Sequence, residues 1–172
     1  LQANVSSVNN AVGYLALNNN TSASENNAFG HQSLEQNTTG TGNAGFGHNV
    51  MQANQTGNFN TAMGYAALKS NTVSYNSAFG SGALSNNTTG IQNTAVGYQS
   101  LYTNDAGYGN TAIGNSALCG NTCGAANTAV GNGALMLNST PSWNTAVGRT
   151  ALRNNTTGNK TIASNISIIT NA

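Results

Sequence analysis

The chain has 172 residues, only four of them basic (Lys69, Arg149, Arg153, Lys160) and three acidic (Glu25, Glu35, Asp105), for a formal net charge of +1. Globular domains run near a quarter charged, so the polarity here comes from Asn, Thr, Ser and Gly instead, and no basic field exists to hold phosphates or anionic lipid; nucleic-acid partners are set aside. No apolar run approaches the roughly 18–20 residues of a membrane span, which argues against direct membrane insertion.

Disordered chains of similar polarity lack evenly spaced apolar residues, whereas this chain carries them throughout. Residues 1–8 form a short polar lead, and Leu1 in place of Met is expected to mark a mature or excised terminus. A repeat then begins near Asn9 and runs to about residue 158. Its clearest copies are Asn93-Thr94-Ala95-Val96-Gly97-Tyr98-Gln99-Ser100-Leu101 and Asn110-Thr111-Ala112-Ile113-Gly114-Asn115-Ser116-Ala117-Leu118. The glycine recurs at positions 13, 30, 47, 64, 80, 97, 114, 131 and 148, a step of 17 residues with a single step of 16. That one deletion falls between Leu68 and Asn76, in a connecting turn, where loops absorb length changes that ladders do not.

Two apolar columns follow from stacking the copies. The first, here called Φ, holds Val12, Phe29, Phe46, Met63, Phe79, Val96, Ile113, Val130 and Val147; the second holds Leu17, Leu34, Met51, Leu68, Leu84, Leu101, Leu118, Leu135 and Leu152. Three residues after each member of the second column stands an Asn, and three further on usually a Gly. The unit is therefore Asn-Thr-Ala-Φ-Gly-x-x-Ala-Leu-x-x-Asn-Thr-Thr-Gly-x-x. Its two apolar stretches, Thr-Ala-Φ and Ala-Leu, are too short for helices and are punctuated by residues that tolerate left-handed corners.

Short strands at a fixed period stack in register, which predicts an all-β parallel solenoid of about nine 17-residue coils, rising ~4.8 Å each into a rod about 40–45 Å long. Asn at equivalent corners is expected to form amide ladders along the axis. Adjacent strand residues face opposite ways, so Ala95 and Val96 cannot share one interior. One apolar column is therefore expected to line the coil's own core and the other to pack against a second copy, in a homotrimer or a filament.

The Asn-Thr-Ala-Φ-Gly-x-x-Ala frame resembles the head repeats of trimeric autotransporter adhesins and related repeats of phage and viral tail-fibre proteins, over roughly residues 9 to 158. The resemblance implies a trimeric left-handed parallel β-roll projecting from a cell or virion surface and binding host or matrix, hence an extracellular location.

After residue 158 the repeat breaks. Thr161 to Ile169 is apolar and strand-like, and residues 159–172 read either as a cap on the last coil or as a segment that pairs with the next subunit.

Residues that carry chemistry are few. Cys119 and Cys123 flank one return turn, and their spacing suits a local disulfide in an extracellular protein; no second Cys pair or His cluster completes a zinc site. His31 and His48 fall one coil apart, about 5 Å from each other. They share an outward position with Tyr14, Tyr65, Ser81, Tyr98, Asn115, Asn132 and Arg149, which reads as a tolerant face with partial aromatic stacking rather than a metal pair. Asn20, Asn37, Asn54, Asn87, Asn138 and Asn155 are candidate N-glycosylation acceptors. Turn chemistry is the preferred reading, because Asn71, Asn104 and Asn121 keep the Asn without a standard acceptor sequence.

Glu25, Glu35 and Asp105 sit in different coils, and no Ser-His-acid or phosphate-cradle signature is present, so neither an enzyme nor a cofactor is expected. The composition fits best a non-catalytic structural fibre, filament or adhesin module whose partner is itself. Two alternatives are an ice-binding solenoid, from the column of Thr61, Thr94, Thr111, Thr128 and Thr145, and a module that binds surface glycans through its Tyr and His faces.

Overall fold

The computed structural model describes residues 8–165. Ten three-residue strands follow one another: β1 (Asn10–Val12), β2 (Asn27–Phe29), β3 (Ala44–Phe46), β4 (Thr61–Met63), β5 (Ser77–Phe79), β6 (Thr94–Val96), β7 (Thr111–Ile113), β8 (Thr128–Val130), β9 (Thr145–Val147) and β10 (Ile162–Ser164). They pair in parallel, in chain order, as one ten-stranded sheet, and no helix occurs among the described residues. Equivalent repeat residues lie directly opposite, as Ala95 on Ala112 and Val96 on Ile113. The expected parallel β-solenoid is therefore the fold.

Each strand coincides with Thr-Ala-Φ. The β-branched residues common at its two ends favour an extended backbone, and the pleat turns the central alanine to one side and its neighbours to the other. The alanine side is the interior: Ala28, Ala62, Ala78, Ala95, Ala112, Ala129 and Ala146 are fully buried. Facing them, the leucine column from Leu17 to Leu135 is fully buried, and Leu152 packs partly buried against the same core. The core is thus one large side chain and two small ones per coil. The Φ residues point outward, exposed by 36% at Phe46 and Val96 and 59% at Val12, with Val130 half-buried.

The second apolar stretch does not form a strand, although it recurs as regularly as the first. Ala-Leu lies in a run of turns, with every member of the leucine column in the left-handed region, at φ between 46° and 51°. That conformation costs a non-glycine residue of the order of 1–2 kcal/mol. Bonding between coils holds it: the Leu34 amide donates to the Val50 carbonyl in the next coil (2.9 Å), while the Gln32 amide donates to Tyr14 in the preceding one (2.8 Å). Kinking the backbone this way aims the leucine across the coil at the alanines of the sheet, which a flat strand would not do at this point.

Glycine at the strand exit is a steric requirement. Gly97 has φ +127°, and a Cβ on it would sit 2.6 Å from the Gly114 carbonyl oxygen of the coil above.

The return turns are held by two columns of buried asparagine. In the first, each Nδ2 donates to the Oδ1 one coil earlier and to a carbonyl in its own turn: Asn104 to Asn87 (2.7 Å) and to Gly107 (2.9 Å). In the second, each Oδ1 accepts the backbone amide of the residue one coil on, and at Asn26, Asn43, Asn93, Asn110 and Asn127 it accepts the next Nδ2 as well, as Asn93 does from Asn110 (3.0 and 3.1 Å). Nδ2 of this second column reaches the same carbonyl that the first column uses, Asn93 to Gly107 at 2.8 Å. One carbonyl per coil therefore accepts from both ladders.

The 16-residue step is accommodated in the turn, as expected. The carbonyl of Val73, two residues after Asn71, takes the place of the glycine carbonyl that lies three residues after the Asn elsewhere (2.7 Å). The adjoining rung stretches to 3.5 Å between Asn71 and Asn54.

Of the N-terminal lead only Val8 is described, and of residues 159–172 only those up to 165; the rest of both segments lies outside the described residues. Although its sequence breaks the repeat, Ile162–Ser164 keeps the register, with Ala163 opposite Ala146. It forms a tenth rung.

Three substitutions test these contacts. Replacing Asn104 by Ala removes two donated bonds and the one accepted from Asn121 (2.8 Å), leaving buried partners unmatched; urea unfolding should show a loss of about 3–5 kcal/mol. Gly97→Ala should cost about 2–4 kcal/mol from overpacking and strain. Thr150, an exposed β-branched residue at φ 57°, should behave oppositely, with Thr150→Asn gaining about 1 kcal/mol by relieving left-handed strain.

Candidate functional site

With the interior filled by Ala, Leu and Asn, apart from Ser33, Val50, Met51 and Ser100, most variable side chains stand on the outside. The sheet face carries two parallel columns, the first and third residues of each strand. The first column, Asn10, Asn27, Ala44, Thr61, Ser77, Thr94, Thr111, Thr128 and Thr145, is half-buried except at exposed Asn10. Beside it run the exposed Φ residues. From β6 to β9 the pair is uniform, Thr with Val or Ile; toward the N-terminus Phe29, Phe46, Met63 and Phe79 enlarge the apolar column, and the Phe29 and Phe46 rings stack at 5.1 Å. No charged side chain belongs to either column in β1–β9.

At the sheet's exit a second stack runs along the axis. Tyr14, His31, His48 and Tyr65 lie ring on ring at centroid spacings of 5.2, 4.6 and 5.4 Å. The two imidazoles are within 5° of parallel, which keeps their in-plane lone pairs in separate planes, as the stacking reading requires. Among the described residues no group of three or more His, Cys, Asp or Glu side chains gathers. On the sheet's entry side Phe59, Tyr75, Ile91, Tyr108 and Trp143 are also exposed. Phe59 stacks on Tyr75 at 5.8 Å.

The three carboxylates stay dispersed, as their positions in the repeat imply. Glu35 accepts from Gln52 Nε2 (2.8 Å), Asp105 accepts from the Thr88 hydroxyl, and Glu25 stands exposed at the left-handed residue before Asn26.

The six candidate glycosylation acceptors all belong to the first asparagine ladder. Asn20, Asn37, Asn54, Asn87 and Asn138 are buried, and each directs Nδ2 at a carbonyl of its own turn, at 2.7–3.0 Å in the ladder as a whole. Asn155, half-buried, donates to Asn138 Oδ1 and the Gly158 carbonyl. A glycan on any of these nitrogens would need that rung to open, so the folded rod presents structural amides where the triplet pattern alone suggested acceptors. The signal was in the sequence: an Asn present in every coil, with or without a hydroxyl residue two positions on, is held by the fold.

Cys119 and Cys123 are free thiols rather than the expected disulfide, the first half-buried and the second exposed. Between them Asn121 is turned inward onto Asn104 Oδ1 and the Gly124 carbonyl (2.8 and 2.9 Å), so the amide ladder fixes this turn as it fixes the turns that lack cysteine. Burial pushes the Cys119 thiol pKa up.

No helix among the described residues is long and apolar enough to cross a membrane. Compared with known proteins, the chain matches no protein-family model, no curated protein and no solved structure.

The thiols give a direct measurement. Alkylation of the folded protein without reductant should add two groups, Cys123 first. Cys119 should lag, because a raised pKa leaves less thiolate at a given pH, and its rate should climb as pH rises. A mass showing no alkylation before reduction would restore the disulfide.

Proposed function

We propose that the chain is a non-catalytic structural module, a rigid rod that associates side by side with copies of itself into an extracellular fibre or adhesin head on a cell or virion surface. The observation that carries this reading is the outward Φ column. Nine large apolar residues stand in one uncharged line along the flat sheet face, where the fold itself has no use for them. Monomeric soluble proteins rarely leave a contiguous apolar strip of that length open to water. An interface made by a second copy would bury it, and depletion of charge is what distinguishes the core of such interfaces.

Three copies around a common axis are the preferred arrangement. Identical rods present identical faces, so closed symmetry lets every Φ column be covered, and the repeat's resemblance to trimeric adhesin heads points to the same number.

The ice-binding alternative draws on the same face, where Thr and Val or Ile alternate regularly over β6–β9. Asn10, Asn27, Ala44 and Ser77 interrupt the threonine column over the other half, so self-association remains the better account of the face as a whole.

Sedimentation equilibrium of the purified chain at micromolar concentration should give three times the 17.4 kDa chain mass. The double variant Val96→Lys, Ile113→Lys should dissociate it while leaving the circular dichroism unchanged, since both side chains point away from the core. A wild-type chain that stays monomeric would refute the reading.

A further inference from the structure

The outer surface steps inward at one coil. Between Gly80 and Asn86 three neighbouring positions carry the small residues Ser81, Gly82 and Ser85. The equivalent positions one coil earlier hold Tyr65, Ala66 and Lys69, and one coil later Tyr98, Gln99 and Tyr102. The result is a cleft of about 370 Å3 lined by these side chains, with Ser70 and Asn86 at its edge. That volume lies within the roughly 300–1,000 Å3 of small-ligand sites.

The cleft is a gap in the aromatic stack. Tyr65 ends the run Tyr14–His31–His48–Tyr65, Ser81 takes the next position, and Tyr98 follows. Tyr65 and Tyr98 are thus two rungs apart, about 9–10 Å at the spacing of parallel strands, with one ring missing between them. Tyr102 adds a third aromatic wall: a Cβ on Gly82 would lie 3.4 Å from its ring. Gly82 is thus covered by that ring and by the Gln99 side chain, and leaves them room to lie close to the backbone.

We propose that this cleft binds one neutral pyranose ring, seated over Ser81 with its C–H faces toward Tyr65 and Tyr98. The lining chemistry selects that class. Aromatic faces stand on both sides, as an apolar C–H face requires. Around them are three serine hydroxyls, three tyrosine hydroxyls and the amides of Asn86 and Gln99, which can serve as donor and acceptor toward a ligand hydroxylated on its whole perimeter. Lys69 is the sole charged group lining the cleft and no carboxylate lines it. A flat aromatic ligand could enter the same gap but would use few of these hydroxyls. The site lies beyond the sheet exit rather than on the Φ face, so sugar binding and self-association are separable by mutation.

The test is amide and tyrosine-ring NMR on the full chain, titrated with the methyl pyranosides of glucose, galactose, mannose and N-acetylglucosamine. At least one should shift Ser81, Gly82 and Ser85 amides with a dissociation constant in the millimolar range, as expected for so small a ligand. Tyr98→Ala should weaken that binding about tenfold by removing one stacking face. Ser81→Tyr should abolish it by completing the aromatic stack, with an unchanged or raised melting temperature, because Tyr already occupies this position in other coils. The proposal is overturned if none of the four sugars shifts those amides at tens of millimolar, if Ser81→Tyr binds as the wild type does, or if indole or adenosine occupies the cleft and the pyranosides do not.

Discussion

One backbone carbonyl per coil is the point on which the rest of the rod depends. In the coil of Gly107 it accepts from Asn104 and from Asn93, two side chains arriving from different corners. The same convergence recurs on Gly40, Gly57, Gly90 and Gly124, and on Val73 and Pro141 where glycine is absent. Both lone pairs of a buried carbonyl are thereby used, and the two asparagine columns are tied to each other as well as along the axis. A buried amide that is fully matched is cheap, whereas one that misses a partner is costly. Registers that slip by a single residue would leave every such amide unmatched at once. The ladder thus specifies the register as strictly as the small apolar core does, in a chain whose strands are only three residues long.

The period, the solenoid, the inward asparagines and the ring stacks were all legible in the amino-acid sequence, because each depends on identity repeated at one spacing. Stacking like on like requires no knowledge of the backbone path within a coil. What was not legible depends on that path. Ala-Leu recurs at the same spacing as Thr-Ala-Φ, yet Leu101 adopts φ 49° rather than an extended backbone, held by the bond its amide makes to the Ala117 carbonyl in the next coil. At Asn87 the sequence already favours turn chemistry over glycosylation, and the path adds where the amide goes: its Nδ2 is committed to Asn71 Oδ1 and the Gly90 carbonyl, both at 2.8 Å. Triplet patterns report hydroxyl spacing and say nothing about which way the amide turns. The Cys119–Cys123 spacing suggests a covalent tie, whereas the structure has both thiols free in a turn that Asn121 already holds.

A division of labour follows from the geometry. The interior repeats almost without change, Asn, Ala, Leu, Asn, so each rung contributes the same contacts to its neighbours and the stability of the rod approximates a sum over rungs. Outward positions carry no such constraint. The position that holds Tyr65 accepts His48, Ser81, Asn115 or Arg149 in other coils, and a substitution there alters surface chemistry with little effect on the fold. Binding features can therefore be placed at a single rung, as the small residues at Ser81 and Gly82 illustrate, without disturbing the rungs above and below.

The ladders also have a direction. Where Nδ2 of a ladder asparagine bonds to another along the axis, it donates to Oδ1 of the coil before it, as Asn104 does to Asn87 and Asn110 to Asn93. At the C-terminal end the last acceptors are satisfied within the chain: Asn144 Oδ1 takes the Thr161 amide (2.9 Å) and Asn155 Oδ1 the Gly158 amide (3.1 Å). Thr161 stands where the next asparagine would be and carries no amide to continue the column. The sheet face has no comparable interruption, its apolar column running unbroken from Val12 to Val147. The described rungs thus carry an unbroken apolar column on the sheet face, while the second amide column closes on the Thr161 backbone.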